Sequence, residues 1–242
     1  MANKTITQLD AAQSLNDNMV IAVQDTNTTY KTTLADVKAY CGAAPAGDKY
    51  KVGDRVKDDS DNDVGTVSSI FTDGNGDRYA VVCLDAVNRL SGALWSSVRE
   101  LVTGLPTYAN INTAAFGNGT ESATANTQLI LDWCSANGYT SAACSHCRSK
   151  SFTIDGTTYY GQLPNIKELI DIFSNHYTLN SLDPTSSSYT SLNFATWRIS
   201  WSSTQGDSIQ AWYVSDMGAP NINLKNYVQY YVVPVLEIPL ED

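Results

Sequence analysis

Trp197 to Val214 reads WRISWSSTQGDSIQAWYV. Two runs rich in aromatic and β-branched residues, Trp197–Ser202 and Ile209–Val214, flank Gln205-Gly206-Asp207-Ser208, a cluster of turn-forming residues. The pattern predicts two strands folding back on each other. Alternation along a strand sends half of its side chains inward, and large rings dominate burial, so most aromatics here belong to a core. Trp201 and Trp212 are expected to be structural. Tyr227–Glu237 follows as a closing strand, with Pro234 implying an edge position or a bulge.

Working back from this segment, two helices precede it. Thr124–Asn137 places Ile130, Trp133 and Cys134 on one face, with Gly138 as its stop. A second helix is expected to start at Pro164, a favoured first-turn residue, and aligns Ile166, Leu169, Ile170 and Phe173. Between them Ser151–Tyr160 reads as a hairpin turning at Asp155-Gly156. Further back, Gly53–Lys57, Val64–Phe71 and Arg78–Leu84 are short strands, the last two joined by a turn at Asp73-Gly74-Asn75-Gly76-Asp77. Strands, two helices, then strands imply an α+β fold with antiparallel sheet.

The first forty residues form a separate block. Ile6–Leu9 is short and extended. Met19–Val23 is apolar, Gln24–Asn27 turns, and Tyr30–Thr32 returns. Thr33-Leu34-Ala35-Asp36 opens a helix with Leu34, Val37 and Tyr40 on one face. Gly42–Gly47, small residues around one proline, is a linker. The organisation expected is 1–41, a linker over 42–48, and a domain over 49–242.

Composition limits the partners. The chain has 242 residues, 15 basic and 25 acidic, for a net charge of -10. Such a chain is repelled by phosphate, so nucleic acid and anionic membrane surfaces are not expected partners. No run approaches the roughly 20 apolar residues that span a bilayer. Met1-Ala2-Asn3-Lys4 is followed by no apolar run, so no secretory signal is expected and synthesis in a cytoplasm is. The five cysteines, Cys41, Cys83, Cys134, Cys144 and Cys147, are expected as free thiols.

The ordered set Gly53-Asp54-Arg55-Val56, Gly65-Thr66-Val67, Tyr79-Ala80-Val81-Val82, Ala125-Asn126-Thr127, Gly161–Leu169, Trp201-Ser202-Ser203-Thr204, Ala211-Trp212-Tyr213-Val214 and Tyr231–Val235 resembles bacterial and phage C-type-lectin-like domains. Gly161–Leu169 is similar to that family's proline-to-Glu-Leu helix start, and the tryptophan segments to its WSST and AW hairpin. Val233 stands where the family commonly carries an arginine. The resemblance covers roughly residues 50–240. It implies a domain of short antiparallel strands and two helices.

The N-terminal block, Ile6–Ala12, Asn16–Asp25 and Lys31–Val37, resembles the anchor segment of tailed-phage fibre proteins. That resemblance implies that Ile6, Leu9, Ile21, Val23, Leu34 and Val37 dock to other virion proteins. It also implies a homotrimeric head or tail fibre or decoration protein that points its outer domain toward the host. The expected location is the virion, after synthesis in the host cytoplasm. The alternatives are a purely structural capsid or tail assembly protein and a cellular adhesion protein, the latter disfavoured by the missing signal.

No catalytic arrangement stands out. His146 and His176 are the only histidines, and neither sits in a nucleophile motif. The formylglycine-generating branch of the lectin-like superfamily depends on late cysteines, and none follows Cys147. No enzyme activity is expected. Cys144-Ser145-His146-Cys147 with Cys134 offers soft metal ligands, yet a second Cys-x-x-Cys is missing, so plain cysteines on a loop are expected over zinc. Asp73, Asn75 and Asp77 alternate oxygens as a calcium loop does, without its closing glutamate. A plain turn is expected there, with calcium the alternative.

The polar stretch Gly218–Asn226 shows no core pattern and falls where lectin-like relatives present ligands. Asn221, Asn223, Lys225, Asn226 and Tyr227 are therefore the candidate binding residues for a host-surface glycan or protein, against an inert loop.

Overall fold

A computed structural model describes residues 20–24, 29–33, 49–116, 121–181, 199–215, 218–226 and 229–240. The chain divides into two compact units, Met1–Lys49 and Tyr50–Asp242. In the first, β1 (Val20–Gln24) pairs antiparallel with β2 (Thr29–Thr33), setting Ile21 opposite Thr32 and Val23 opposite Tyr30. The expected strand at Ile6–Leu9, the helix carrying Leu34 and Val37, and the linker lie outside the described residues.

The second unit holds two sheets and a separate hairpin, with helices beside them. Strands β3 (Arg55–Lys57), β4 (Asp63–Thr72) and β5 (Arg78–Leu84) build one sheet, completed by β13 (Val235–Pro239) in the order β13-β5-β4-β3. The other contains β6 (Leu90–Ala93), β9 (Ser200–Gln205), β10 (Gln210–Val214), β11 (Pro220–Leu224) and β12 (Tyr230–Val232), ordered β11-β10-β9-β12-β6. The unit is α+β with antiparallel sheet, as expected, apart from one parallel pairing, β9 with β12. The hairpin β7 (Ser151–Ile154) and β8 (Thr157–Tyr160) turns at Asp155-Gly156 as its residues predict.

Helices α1 (Ile111–Phe116), α2 (Ala123–Ala136), α3 (Ala142–Arg148) and α4 (Ile166–Ser181) complete the unit. α4 presents Ile166, Leu169, Ile172 and Phe173 to a core shared with Val81 and Cys83 of β5 and Trp212 and Val214 of β10. Alternation on β5 sends Ala80, Val82 and Leu84 to a second core with Leu236 and Ile238. The other face of the larger sheet, with Trp201, Ala211 and Val232, packs on Ile130 and Cys134 of α2 and on Ala143, Cys144 and Cys147 of α3.

Helix ends follow from side-chain oxygens placed to accept first-turn N–H groups. Ser122 Oγ accepts Ala125 N at 3.1 Å, and Asn137 with Gly138 at φ +72° stops α2. For α4, Asn165 Oδ1 accepts Glu168 N and Glu168 Oε2 accepts Asn165 N, each at 2.8 Å. This reciprocal cap makes Asn165 the boundary, so Pro164 precedes the helix instead of opening it. Glu237 reaches from β13 to the start of α2, accepting Ala123 N at 2.7 Å and Thr124 N at 2.8 Å.

Pro234 is neither on an edge strand nor in a bulge. It breaks the closing segment where the chain passes from the larger sheet (β12) to the smaller (β13), and its carbonyl accepts Leu84 N at 3.0 Å. A residue without an N–H fits where the ladder is interrupted. The antiparallel bridge between Gln162 and Val235 starts the new strand. No helix among the described residues is long and apolar enough to cross a membrane.

Candidate functional site

β10 and β11 form the outer edge of the larger sheet. Their register sets Tyr213 opposite Asn221 and Ala211 opposite Asn223, so Asn221, Asn223 and Lys225 share one face of β11. On that face the fully buried Trp201 donates Nε1–H to Ala93 O at 2.9 Å. Tyr230 lies 4.6 Å from Trp201 and 4.8 Å from Tyr213 between ring centroids, and Tyr213 meets Trp201 edge-on at 6.1 Å. Asn223 Nδ2 donates to the Tyr230 hydroxyl at 2.6 Å. Burial first, then the adjacent Tyr230 hydroxyl, pushes the Tyr213 phenol above its ordinary range. The result is a small aromatic cluster that is buried at Trp201 and half-exposed at Tyr213, with exposed Asn221 at its margin.

The five candidate residues do not form one polar loop. Pro220–Leu224 is a strand, because Ile222 and Leu224 face the apolar side and pairing with β10 holds asparagines that disfavour strands by themselves. Lys225 is fully buried. Its Nζ donates to Gln205 Oε1 at 2.5 Å, Glu100 O at 2.8 Å and Ser208 O at 3.1 Å, and lies 5.0 Å over the Trp95 ring. All three ammonium donors are thereby used inside the chain. Asn226 accepts Arg99 Nε at 2.5 Å, and Tyr227 lies outside the described residues. Of the five, Asn221 alone is described as exposed. The signal that could have found the strand was the Asn-Ile-Asn-Leu alternation; nothing local marks Lys225 as buried.

Lys225 is a tie between segments far apart in sequence. Gln205, its partner, also accepts Val102 N at 3.0 Å and donates to Leu105 O at 3.1 Å. Burial lowers the ammonium to about 8. Replacing Lys225 with methionine keeps the stem but removes the donor shared by Glu100 O, Ser208 O and Gln205 Oε1, of which the last keeps Val102 N, and should cost about 2 kcal/mol in chemical unfolding. A folded-state proton affinity below that of the unfolded chain makes the lysine contribution rise with pH from about 8 toward the ordinary lysine range. Lys225→Met should lose that rise, visible as a smaller stability change between neutral and moderately alkaline pH.

The residues weighed as metal ligands fall on two helices and a turn. Cys134 sits on α2 and Cys144 and Cys147 on α3, which corrects the expectation of a loop: Ser141 Oγ caps α3 by accepting Cys144 N at 3.2 Å. A seven-residue helix is too short for periodicity to announce it. Burial pushes the Cys144 thiol up to about 12 and Cys147 well above its ordinary value, and raises Cys134. His146 Nε2 pairs with Asn88 O at 2.7 Å. The His176 side chain and Cys41 lie outside the described residues. Asp73 Oδ1 accepts Asn75 N at 2.8 Å and Asp77 N at 3.0 Å, so its oxygen builds the β4–β5 turn. Among the described residues no group of three or more His, Cys, Asp or Glu is arranged to hold a metal.

No family model matches the chain, and no curated protein or solved structure matches it.

Proposed function

We propose that the chain is a non-catalytic virion fibre or decoration protein, anchored through its N-terminal unit and displaying a C-type-lectin-like domain over residues 49–242. One observation supports this reading: residues that resemble the lectin-like family tie β9 to β10 and join the larger sheet to α4 and to the segment around Tyr108. Ser202 Oγ donates to Trp212 O at 2.8 Å, Ile166 N donates to Thr204 Oγ1 at 2.9 Å, and Trp212 Nε1 donates to Tyr108 O at 2.7 Å. Val233, where the family commonly has arginine, is buried in the core under α4, so no ion pair is required at that position. The displayed recognition surface is the half-exposed Tyr213 with Asn221 beside it, an aromatic face next to an amide, suited to a host glycan or protein.

A second reading, an assembly protein of the capsid or tail without receptor binding, draws on a different observation. Asn223, Lys225 and Asn226 are all hydrogen-bonded within the chain. Adsorption of particles to host cells separates the two readings. Replacing Asn221 with aspartate, which keeps its oxygen and removes the amide donor, should slow adsorption about tenfold, a change of ~1.4 kcal/mol. Unchanged adsorption, with the protein still located in the particle by electron microscopy, would eliminate this surface and leave assembly.

A further inference from the structure

β11 is the outermost strand of the larger sheet in the order of described strands, and an outer strand ordinarily offers a row of unpaired N–H groups to any chain that can add to it. The register tells which groups those are. Lys225 N donates to Ile209 O at 3.0 Å and Ser215 N donates to Ala219 O at 2.9 Å, so the odd-numbered residues of β11 turn their N–H groups toward β10. The outward positions are Pro220, Ile222 and Leu224.

None of the three offers a free donor. Pro220 has no N–H. Ile222 N donates to Asn221 Oδ1 at 2.8 Å, and Leu224 N donates to Asn223 Oδ1 at 2.7 Å. Each asparagine folds its amide oxygen back onto the N–H of the next residue. Asn223 is held in that pose by its bond to Tyr230.

We infer that Asn221 and Asn223 close the β11 edge by capping its outward N–H groups, so that a second copy of this chain cannot add a strand there. An incoming strand could only donate to the outward carbonyls, losing half of the ladder bonds that antiparallel addition requires. The same asparagines lie on a face that the sequence marks for ligand binding; here their oxygens are already committed, and the Asn221 amide nitrogen is what remains to face outward.

Full-length protein carrying Asn221→Ala or Asn221→Asp tests this. Asn221 is exposed, so neither change disturbs the core, and near-ultraviolet circular dichroism checks that the fold is kept. Aspartate retains the capping oxygen and loses the amide donor; alanine loses both. Self-association is read by sedimentation velocity and by the rate of light-scattering growth on incubation. The alanine variant should associate at least about tenfold faster than the parent, while the aspartate variant stays at the parental rate. Adding Asn223→Ala should increase the effect. Equal behaviour of alanine variant and parent overturns the inference, as does association of both variants, since the capping oxygen would then not be what protects the edge. Host adsorption is a separate readout: an aspartate variant that adsorbs poorly but does not associate separates recognition by the amide from closure of the edge.

Discussion

Alanine at Gly65 is expected to prevent the Tyr50–Asp242 unit from folding at physiological temperature. Gly65 lies in β4, paired with Val56 of β3 on one side and Leu84 of β5 on the other. A Cβ there would stand 2.3 Å from Cys83 O and 3.0 Å from Val82 Cγ1. The obstacle at the shorter distance is backbone, and it belongs to a strand pinned in turn by β13, so it cannot give way as a flexible side chain would. Relief would require spreading the β4–β5 ladder where Val64, Val67, Val82 and Leu84 pack. Overpacking against a fixed neighbour costs about 3 kcal/mol or more, a large part of a domain's whole stability. Soluble yield and thermal midpoint of Gly65→Ala report this directly. A variant that melts within a few degrees of the parent would mean that β4 and β5 do not approach as described. Gly161, whose added Cβ would meet Cys147 O at 2.4 Å, belongs to the same class of position.

The second large effect concerns the buried carboxyls under α2 and α4. Glu237→Ala would leave the N–H groups of Ala123 and Thr124 without their acceptor at a buried helix start, and should cost about 3–5 kcal/mol. Its neighbour Glu168 behaves in the opposite way. Glu168 is fully buried and Oε1 has no donor facing it. Burial, then the charge of Glu237 and a hydrogen bond with it, pushes the Glu168 carboxyl well above the usual carboxylate range. A proton on Glu168 turns two facing acceptors into a hydrogen bond.

The pH dependence follows in sign. A carboxyl whose folded-state proton affinity is raised contributes stability that is complete below the ordinary glutamate range and is lost as pH rises through the folded value. Glu168→Gln carries its donor permanently, so it should equal or exceed the parent in stability at neutral pH and show a shallower decline from mildly acidic to mildly alkaline conditions. Urea unfolding of both variants across that range is the measurement. A Glu237→Ala variant within about 1 kcal/mol of the parent would remove the cap from the account.

The contrast between these carboxyls and the hairpins shows which parts of the molecule could be read locally. Asp73, Asp155-Gly156 and Gln205–Ser208 announce their turns because a turn is decided by a few adjacent residues: Asp73 folds onto the next N–H groups, and Asp155 and Gly156 take positive φ. α2 and α4 are long enough for apolar spacing to show. α3 and β11 are shorter: the first is read as cysteines on a loop, and the second, despite its Asn-Ile-Asn-Leu alternation, is read as a polar loop and becomes a strand through its pairing with β10. The exchange of sheets at Pro234 depends on which partners lie across the gap, and no window of sequence contains them. The same holds at the candidate site. The stretch Gly218–Asn226 is singled out by its composition, but whether an asparagine or lysine there meets solvent is settled by Tyr230, Arg99, Glu100 and Gln205. The first of these is close in sequence; the others come from strands and loops elsewhere.

The passage of residues 230–239 from one sheet to the other also sets the order in which the molecule can assemble during synthesis. β12 lies between β9 and β6, so until it leaves the ribosome β6 has no neighbour in its sheet, and β5 waits for β13 on its outer side. Strands made much earlier must therefore remain open while the intervening residues are translated. Non-local pairing of this kind is slow and leaves unpaired edges exposed to other nascent chains.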